Sequence, residues 1–375
     1  MFCPAYFRFC RRAELCRLFI YILYCKRQLN CLININAAAS DTSAKDRSPK
    51  ENLMKAVLYR YTGLSSVLSF EQTETPKPGP GEVRVKIACS GVNPTDWKIR
   101  SGLTGNQPDG FQIPHQDGSG VIDAVGDGVT EREIGQRVWL YTAAYANPYG
   151  TAAEYCVLPA ERTVVLPDSA SYELGASLGV PALTAAHCLG GNPSALRGAN
   201  VLVAGGAGAV GYYAIELAKH AGARVATTVS SAEKERLAKT AGADLAVNYK
   251  APGALEKLKS FAPQMDYITE VAFGANMETD LALSAPGTVI AIYANEPTDP
   301  ILPIRKLMRT NATIRFVMLY TITKHDLNQA IAWIEDALEQ DALSELPIHR
   351  FSLEKTAEAQ DFVQQGAVGK VLVIP

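Results

Sequence analysis

No two cysteines of this chain are spaced Cys-x-x-Cys, and the three beyond residue 53 (Cys89, Cys156 and Cys188) stand far apart. A disulfide framework is therefore not expected, and buried free thiols in a reducing compartment are. Net charge is nearly absent: 36 Lys and Arg oppose 38 Asp and Glu, a net of −2, which argues against a basic nucleic-acid binder. The apolar run at 18–24 has seven residues, far short of the ~20 that span a bilayer. Histidine is scarce, with five in the chain. No Ser-His-Asp or paired-carboxylate spacing is detectable, and His187, His220, His325 and His349 read as structural or solvated. What is present is 47% hydrophobic residues over 375 positions. That is enough for two cores and excludes disorder and collagen.

The charge is unevenly spread. Residues 1–53 hold nine basic and four acidic side chains, a net of +5, and the rest holds 27 basic and 34 acidic, a net of −7. Five of the eight cysteines also fall in the first segment. An Arg-rich, acid-poor start is what a mitochondrial presequence looks like. A secretory signal fits less well, because no small-residue cleavage site follows the apolar run closely. A start at Met54, where a well-formed strand begins, is the favoured reading. It implies a cytoplasmic protein, and a genuine presequence implies a mitochondrial one.

Two textures follow. Alternating or β-branched runs at 54–60, 82–88, 118–125 and 136–140 read as strands without intervening helices, as in a β-rich or barrel-like domain. A rigid Pro/Gly connector lies at 75–81. Residues 172–189 read as helix, interrupted near Gly179 and Pro181. From there strands (201–204, 224–229, 265–270, 288–293, 314–319) alternate with helices (210–221, 232–241), the pattern of a doubly wound parallel sheet. A long helix at 324–340 and strands at 348–351 and 370–374 close the chain. The Ile331, Ile334 and Leu338 stripe of that helix reads as core.

The strongest chemical signal is Ala-Gly-Gly-Ala-Gly-Ala-Val-Gly at 204–211. Gly206, Gly208 and Gly211 satisfy GxGxxG, with Ala207, Ala209 and Val210 between them. Alone the pattern is weak. Here it follows an apolar strand and opens an apolar helix, the context a dinucleotide pyrophosphate requires. An acid ending the second strand would hold the ribose 2′-OH of NAD. That acid is missing: the strand ends Thr-Thr-Val-Ser-Ser at 227–231. Ser230 and Ser231 offer hydrogen bonds and Lys234 a charge to a 2′-phosphate, so NADPH is the expected cofactor.

Further motifs stand in order along the chain: Cys-Ser-Gly-Val-Asn-Pro-Thr-Asp (89–96), Ile-Arg-Ser-Gly (99–102), Asp-Gly-Ser-Gly-Val (117–121), Ala-Val-Gly (124–126), Gly-Gln-Arg-Val (135–138), Gly-Ala-Asp (242–244) with Asn-Tyr (248–249), and Gly-Lys-Val-Leu (369–372). With the Gly-rich loop they make residues 54–375 resemble the medium-chain dehydrogenase/reductase superfamily, and within it the quinone oxidoreductases of the zeta-crystallin type. The resemblance implies an α/β protein with a GroES-like β-rich catalytic domain (54–178 and 320–375), a Rossmann NADPH-binding domain (179–319) and an active site between them. A homo-oligomer is expected by analogy.

Site residues follow from the same resemblance. Asn93 is similar to a cleft Asn that bonds the ribose or the substrate carbonyl, though a buried turn Asn before Pro94 is an equal alternative. Thr184 looks like the cleft Thr facing the nicotinamide, and these two are the catalytic candidates. Tyr249 and Gly274 fall on the adenosine side. Ile292, Tyr293 and Ala294, with Val317, Met318 and Leu319, would line the nicotinamide pocket, although core packing explains the apolar ones equally well. Lys370 matches a Lys that reaches the cofactor phosphates. A cleft Tyr of the family is replaced by Lys98, beside Trp97.

Zinc-dependent members of the superfamily hold a catalytic metal with a thiolate and an imidazole. At those positions this chain has Asn93 and Gln116, with His115 one residue off and therefore on the other face of an extended strand. The four-cysteine structural zinc lobe is also absent, so no metal is expected. Without a Lewis acid, hydride transfer suits a quinone or an enone, which delocalises the incoming charge. The competing expectations are a 2-enoyl thioester or alkenal reductase, and a non-catalytic crystallin-like protein binding NADPH or RNA.

Overall fold

The computed structural model describes residues 52–105, 107–295 and 298–375. The expectations for the segment before Asn52 lie outside the described residues. Strand β1 (Leu53–Leu58) pairs antiparallel with β2 (Ser69–Glu74). Strand β3 (Glu82–Val92) follows the Pro/Gly connector and alternates buried and half-buried residues along most of its length. It is succeeded by a short helix α1 (Pro94–Arg100), β4 (Asp117–Val125), β5 (Arg137–Leu140), β6 (Tyr155–Pro159) and β7 (Thr163–Val165). Two register shifts along the β3–β4 pair, at Arg84/Val85 and Ile87/Cys89, bend the sheet as bulges do. Its concave side buries Val83, Val85, Ile122, Val138, Leu140 and Leu158.

Helix α2 (Tyr172–Cys188) leads into the second lobe. There β8 (Asn200–Ala204), α3 (Ala209–His220), β9 (Arg224–Val229), α4 (Ala232–Thr240), β10 (Leu245–Asn248), α5 (Ala254–Phe261), β11 (Tyr267–Glu270), α6 (Phe273–Leu283), β12 (Val289–Ile292), α7 (Ile304–Thr310) and β13 (Thr313–Phe316) alternate. The six strands form one parallel sheet in the order β10-β9-β8-β11-β12-β13. Chain order reverses between β8 and β11, the switch point where such sheets bind ligands. The chain returns through α8 (Lys324–Glu339), β14 (Ile348–Ser352), α9 (Thr356–Gln364) and β15 (Lys370–Ile374). Strand β15 pairs antiparallel with β3, so the C-terminal end of the chain completes the sheet ordered β14-β15-β3-β4-β5-β7.

One expectation is corrected. Helix α2 is not interrupted at Gly179 and Pro181: it runs continuously from Tyr172 to Cys188 with the proline inside. A proline there removes one helical donor, but the Val180 N–H beside it donates to Asp117 Oδ1 at 2.7 Å. Gly179 makes room for this, since a Cβ there would lie 2.2 Å from the same oxygen. The boundary expected after residue 178 falls inside this helix. Helix α8 packs with the parallel-sheet lobe: Trp333 and Ile334 share a core with Val201, Val203, Ile215 and Leu183. No helix among the described residues is long and apolar enough to cross a membrane.

Candidate active site

The Gly-rich loop joins β8 to α3 at the switch point. The residue with left-handed backbone is Gly205 (φ 71°), which the GxGxxG pattern does not include. Gly206 is required for a different reason, because a Cβ there would meet Thr227 Oγ1 at 2.1 Å. Thr227 donates to the Val203 carbonyl at 2.7 Å, and Thr228 Oγ1 accepts from Gly205 N at 3.2 Å, so β9 pins the loop. Gly211 lets α3 press on the loop, its Cβ position being 2.4 Å from Gly205 O. Gly208, the N-cap, faces open space apart from Gly205 O at 3.5 Å. Ala207 is buried, and Ala209 and Val210 open α3, whose first-turn N–H groups lack intrahelical acceptors. This cradle fits a dinucleotide pyrophosphate.

The carboxyl ends of the parallel strands lie along the same edge. Ser230 and Ser231 follow β9. Ser231 Oγ caps α4 by accepting from Lys234 N at 3.3 Å, which leaves its hydrogen for another partner. The nearest acid, Glu233, is exposed on α4. Tyr249 follows β10, is 54% exposed, and lies beside the Lys250 ammonium. Gly274 falls in the first turn of α6. Ile292 ends β12, and Tyr293 packs on Cys188, Ala291 and Val317. Val317 and Leu319 are buried beyond β13, whereas Met318 is exposed. Thr184 is buried on α2.

Across from this edge, β3, β4 and β15 converge on a buried charge cluster. Asn93 Nδ2 donates to Asp117 Oδ2 at 2.6 Å, and Lys370 Nζ donates to Asn93 Oδ1 at 2.8 Å and to Asp117 Oδ2 at 3.4 Å. Lys370 and Asp117 side chains are 2% and 0% exposed. Burial pushes the Asp117 carboxyl up and the Lys370 ammonium down, and each charge opposes the shift of the other. Asp96 accepts from Asn93 N at 2.7 Å, and burial pushes it up to about 8. Lys370, expected to reach the cofactor phosphates, is thus bonded to Asn93 and Asp117. The Asn93 amide is likewise bonded on both sides.

His115 bonds to side chains outside this cluster. Its Nδ1 lies 2.9 Å from Ser90 Oγ and its Nε2 lies 3.2 Å from Gln360 Nε2. Arg100 Nε donates to Gln360 Oε1 at 2.6 Å, so the Gln360 amide N–H faces the ring and the imidazole proton sits on Nδ1. Burial pushes His115 down to about 3, keeping it neutral.

Two contacts close the cleft between the lobes, and neither was expected from sequence. Lys98 Nζ donates to Asn295 Oδ1 at 3.4 Å, and Tyr320 OH donates to Thr95 Oγ1 at 3.1 Å. Nothing about Tyr320 marked it: it lies four residues past β13 and belongs to no motif.

The family model for alcohol dehydrogenase GroES-like domains matches residues 79–168, and that for zinc-binding dehydrogenases matches 209–336. The chain is 30% identical to human quinone oxidoreductase over 330 residues, covering 86% of this chain and 98% of that one. It is 31% identical to the quinone oxidoreductase of Lama guanicoe over the same shares of both. The mycobacterial protein Rv1454c complexed with NADPH superposes with a TM-score of 0.75 at 28% identity, over 86% of this chain and all of that one. The chain belongs to the quinone oxidoreductase family. Its first lobe is the GroES-like domain of that medium-chain superfamily and its parallel sheet the Rossmann-like part. The second family description implies zinc, and the donor set of this quinone oxidoreductase family member does not fit it. Asn93 and Gln116 offer amides, Asp117 already faces an ammonium, and among the described residues no group of three or more His, Cys, Asp or Glu could hold a metal.

Proposed function

We propose that the chain is an NADPH-dependent reductase that passes hydride to quinones or related conjugated carbonyls without a metal. The observation that supports this reading is the donor set of the cleft floor, where the amides of Asn93 and Gln116 stand at the two positions that hold zinc in the metal-dependent members, and Asn93 is bonded to the Lys370 ammonium. When bound, the cofactor supplies the hydride. The chain's own part is to hold the pyrophosphate on the 206–211 turn and α3, and to receive a 2′-phosphate with Ser230, Ser231 and Lys234. Thr184, Ile292, Tyr293, Ala294, Val317, Met318 and Leu319 would line the nicotinamide site. Tyr249 and Gly274 flank the adenosine. Asn93, oriented by Asp117 and Lys370, presents a rigid polar floor.

A homo-oligomer belongs to this reading. Strand β13 is the edge of the parallel sheet, and Phe316 (73% exposed), Met318, Met308 and Ile301 leave apolar surface around it. The three described cysteines are buried free thiols, which fits a reducing compartment.

The test is oxidation of NADPH, and of NADH in parallel, with 9,10-phenanthrenequinone, crotonyl thioesters and alkenals as acceptors, with and without chelator. Quinone-dependent oxidation of NADPH in preference to NADH, unaffected by chelator, is expected. Turnover of enoyl substrates alone replaces the reading with an enoyl thioester or alkenal reductase. Tight NADPH binding with no turnover, together with a salt-dependent RNA shift abolished by NADPH, replaces it with a binding protein.

A further inference from the structure

We propose that Tyr320 is the proton donor to the reduced acceptor, held in place by Thr95 across the cleft and by Tyr145 at its mouth. The inference rests on the reductase reading above. Tyr320 leaves the carboxyl end of β13, the edge on which the cofactor would lie, and crosses to α1 of the other lobe, where its hydroxyl meets Thr95 Oγ1 at 3.1 Å. Its ring stacks on Tyr145, with centroids 4.9 Å apart and planes 29° from parallel. Tyr145 comes from the loop after β5 and is 40% exposed. One phenol thus joins the β13 end, the α1 turn carrying Asn93 and an aromatic surface at the cleft opening. A flat conjugated acceptor suits that aromatic surface.

Burial is the main influence on the phenol and holds its pKa well above the usual value, with the carboxyls of Asp96 and Asp117 adding to it and the Thr95 hydrogen bond opposing. The group therefore stays protonated at neutral pH. The hydroxyl nearby, Thr95, accepts from Tyr320. Lys98 replaces the family's cleft Tyr and donates to Asn295 instead. Tyr320 enters the cleft from the opposite lobe and supplies the missing phenol.

The step balances. With an enone as acceptor, hydride supplied by bound NADPH would reduce it by two electrons and form a new C–H bond, leaving an enolate, a stronger base than the phenolate; a hydroquinone monoanion can instead take its proton from solvent. The Tyr320 O–H bond breaks and its proton goes to the enolate. The tyrosinate regains a proton from solvent through the Thr95 hydroxyl. The sum is NADPH, a proton and acceptor to NADP⁺ and reduced acceptor.

The test compares wild type with Tyr320→Phe, which keeps the ring and its stack, and with Thr95→Val, which keeps the phenol and removes its partner. NADPH affinity should be unchanged in both. Tyr320→Phe should lower kcat for an enone about 100-fold, the scale of general acid catalysis. For phenanthrenequinone the loss should be about tenfold or less, because its hydroquinone anion is the weaker base. Independently of turnover, binding of 4-nitrophenolate followed by its visible absorbance should weaken about tenfold in Tyr320→Phe, which has lost one charge-assisted hydrogen bond. Thr95→Val should fall between wild type and Tyr320→Phe on both readouts. Equal turnover and equal nitrophenolate affinity in Tyr320→Phe and wild type overturn the role of Tyr320 and leave the reductase reading standing. A wild-type protein that binds NADPH but reduces no acceptor overturns both.

Discussion

Replacing Lys370 by Met separates two roles for a buried ammonium. In the structure Lys370 is 2% exposed and donates to Asn93 and Asp117. Methionine fills nearly the same volume but leaves the Asp117 carboxylate, itself 0% exposed, with only the neutral donors of Asn93 and Val180. Breaking a buried ion pair from one side costs about 3–5 kcal/mol. For a folded chain of this size that lowers the melting temperature by roughly 4–7 °C. The loss has a pH signature. Burial already holds the folded-state pKa of Asp117 above its ordinary 3.8, and removing the neighbouring cation raises it further. The folded variant then binds a proton that the unfolded chain releases, so its stability falls as pH rises through the window above 3.8. The deficit against wild type should be smaller at pH 5 than at pH 8. A double variant, Lys370→Met with Asp117→Asn, should be more stable than Lys370→Met alone, because the uncompensated charge is gone. Thermal unfolding by circular dichroism across pH, with NADPH affinity by calorimetry, checks the whole set. A Lys370→Met protein that melts with wild type but binds NADPH tenfold more weakly would refute the buried-pair account and restore a phosphate contact.

Three further outcomes are expected. Gly206→Ala drives a methyl into Thr227 Oγ1 and Ile215 Cδ1, so it should cost about 1–3 kcal/mol in thermal unfolding and abolish measurable NADPH binding. Glu216, pushed up to about 7 by burial and bonded to Ser344, is protonated in the folded state over a range where it ionises when unfolded. Its stabilisation, about 3 kcal/mol at most, is complete below 4.5 and lost as pH rises to about 7. Glu216→Gln should accordingly flatten the fall in melting temperature over that window, and an unchanged slope would count against it. Phe316→Asp places a charge on the open edge of the parallel sheet, and light scattering should show a shift toward monomer relative to wild type.

The parallel-sheet lobe was largely legible because its signals are local. A four-residue apolar strand, three spaced glycines and an Ala-rich helix specify the β8–α3 turn without reference to the rest of the chain. The same local logic misread α2: a Gly-Val-Pro stretch ends helices in isolation, and only an Asp117 brought from β4, 63 residues away, supplies an acceptor for the backbone there. The cleft floor was hidden for a related reason. Asn93, Asp117 and Lys370 each sit in a recognisable motif, yet no spacing reveals that a lysine 277 residues downstream bonds to Asn93, because β15 reaches β3 only when the C-terminal end of the chain returns to the β-rich sheet. Tyr320 carries no motif at all, and its meaning lies wholly in the neighbour it meets. Chemistry written within one βα unit can be read from sequence, whereas chemistry assembled between lobes needs the fold. That is why the Gly-rich turn at the switch point was expected from sequence, although its left-handed Gly205 was not, while the contacts that would set the protonation and polarity of the cleft were not.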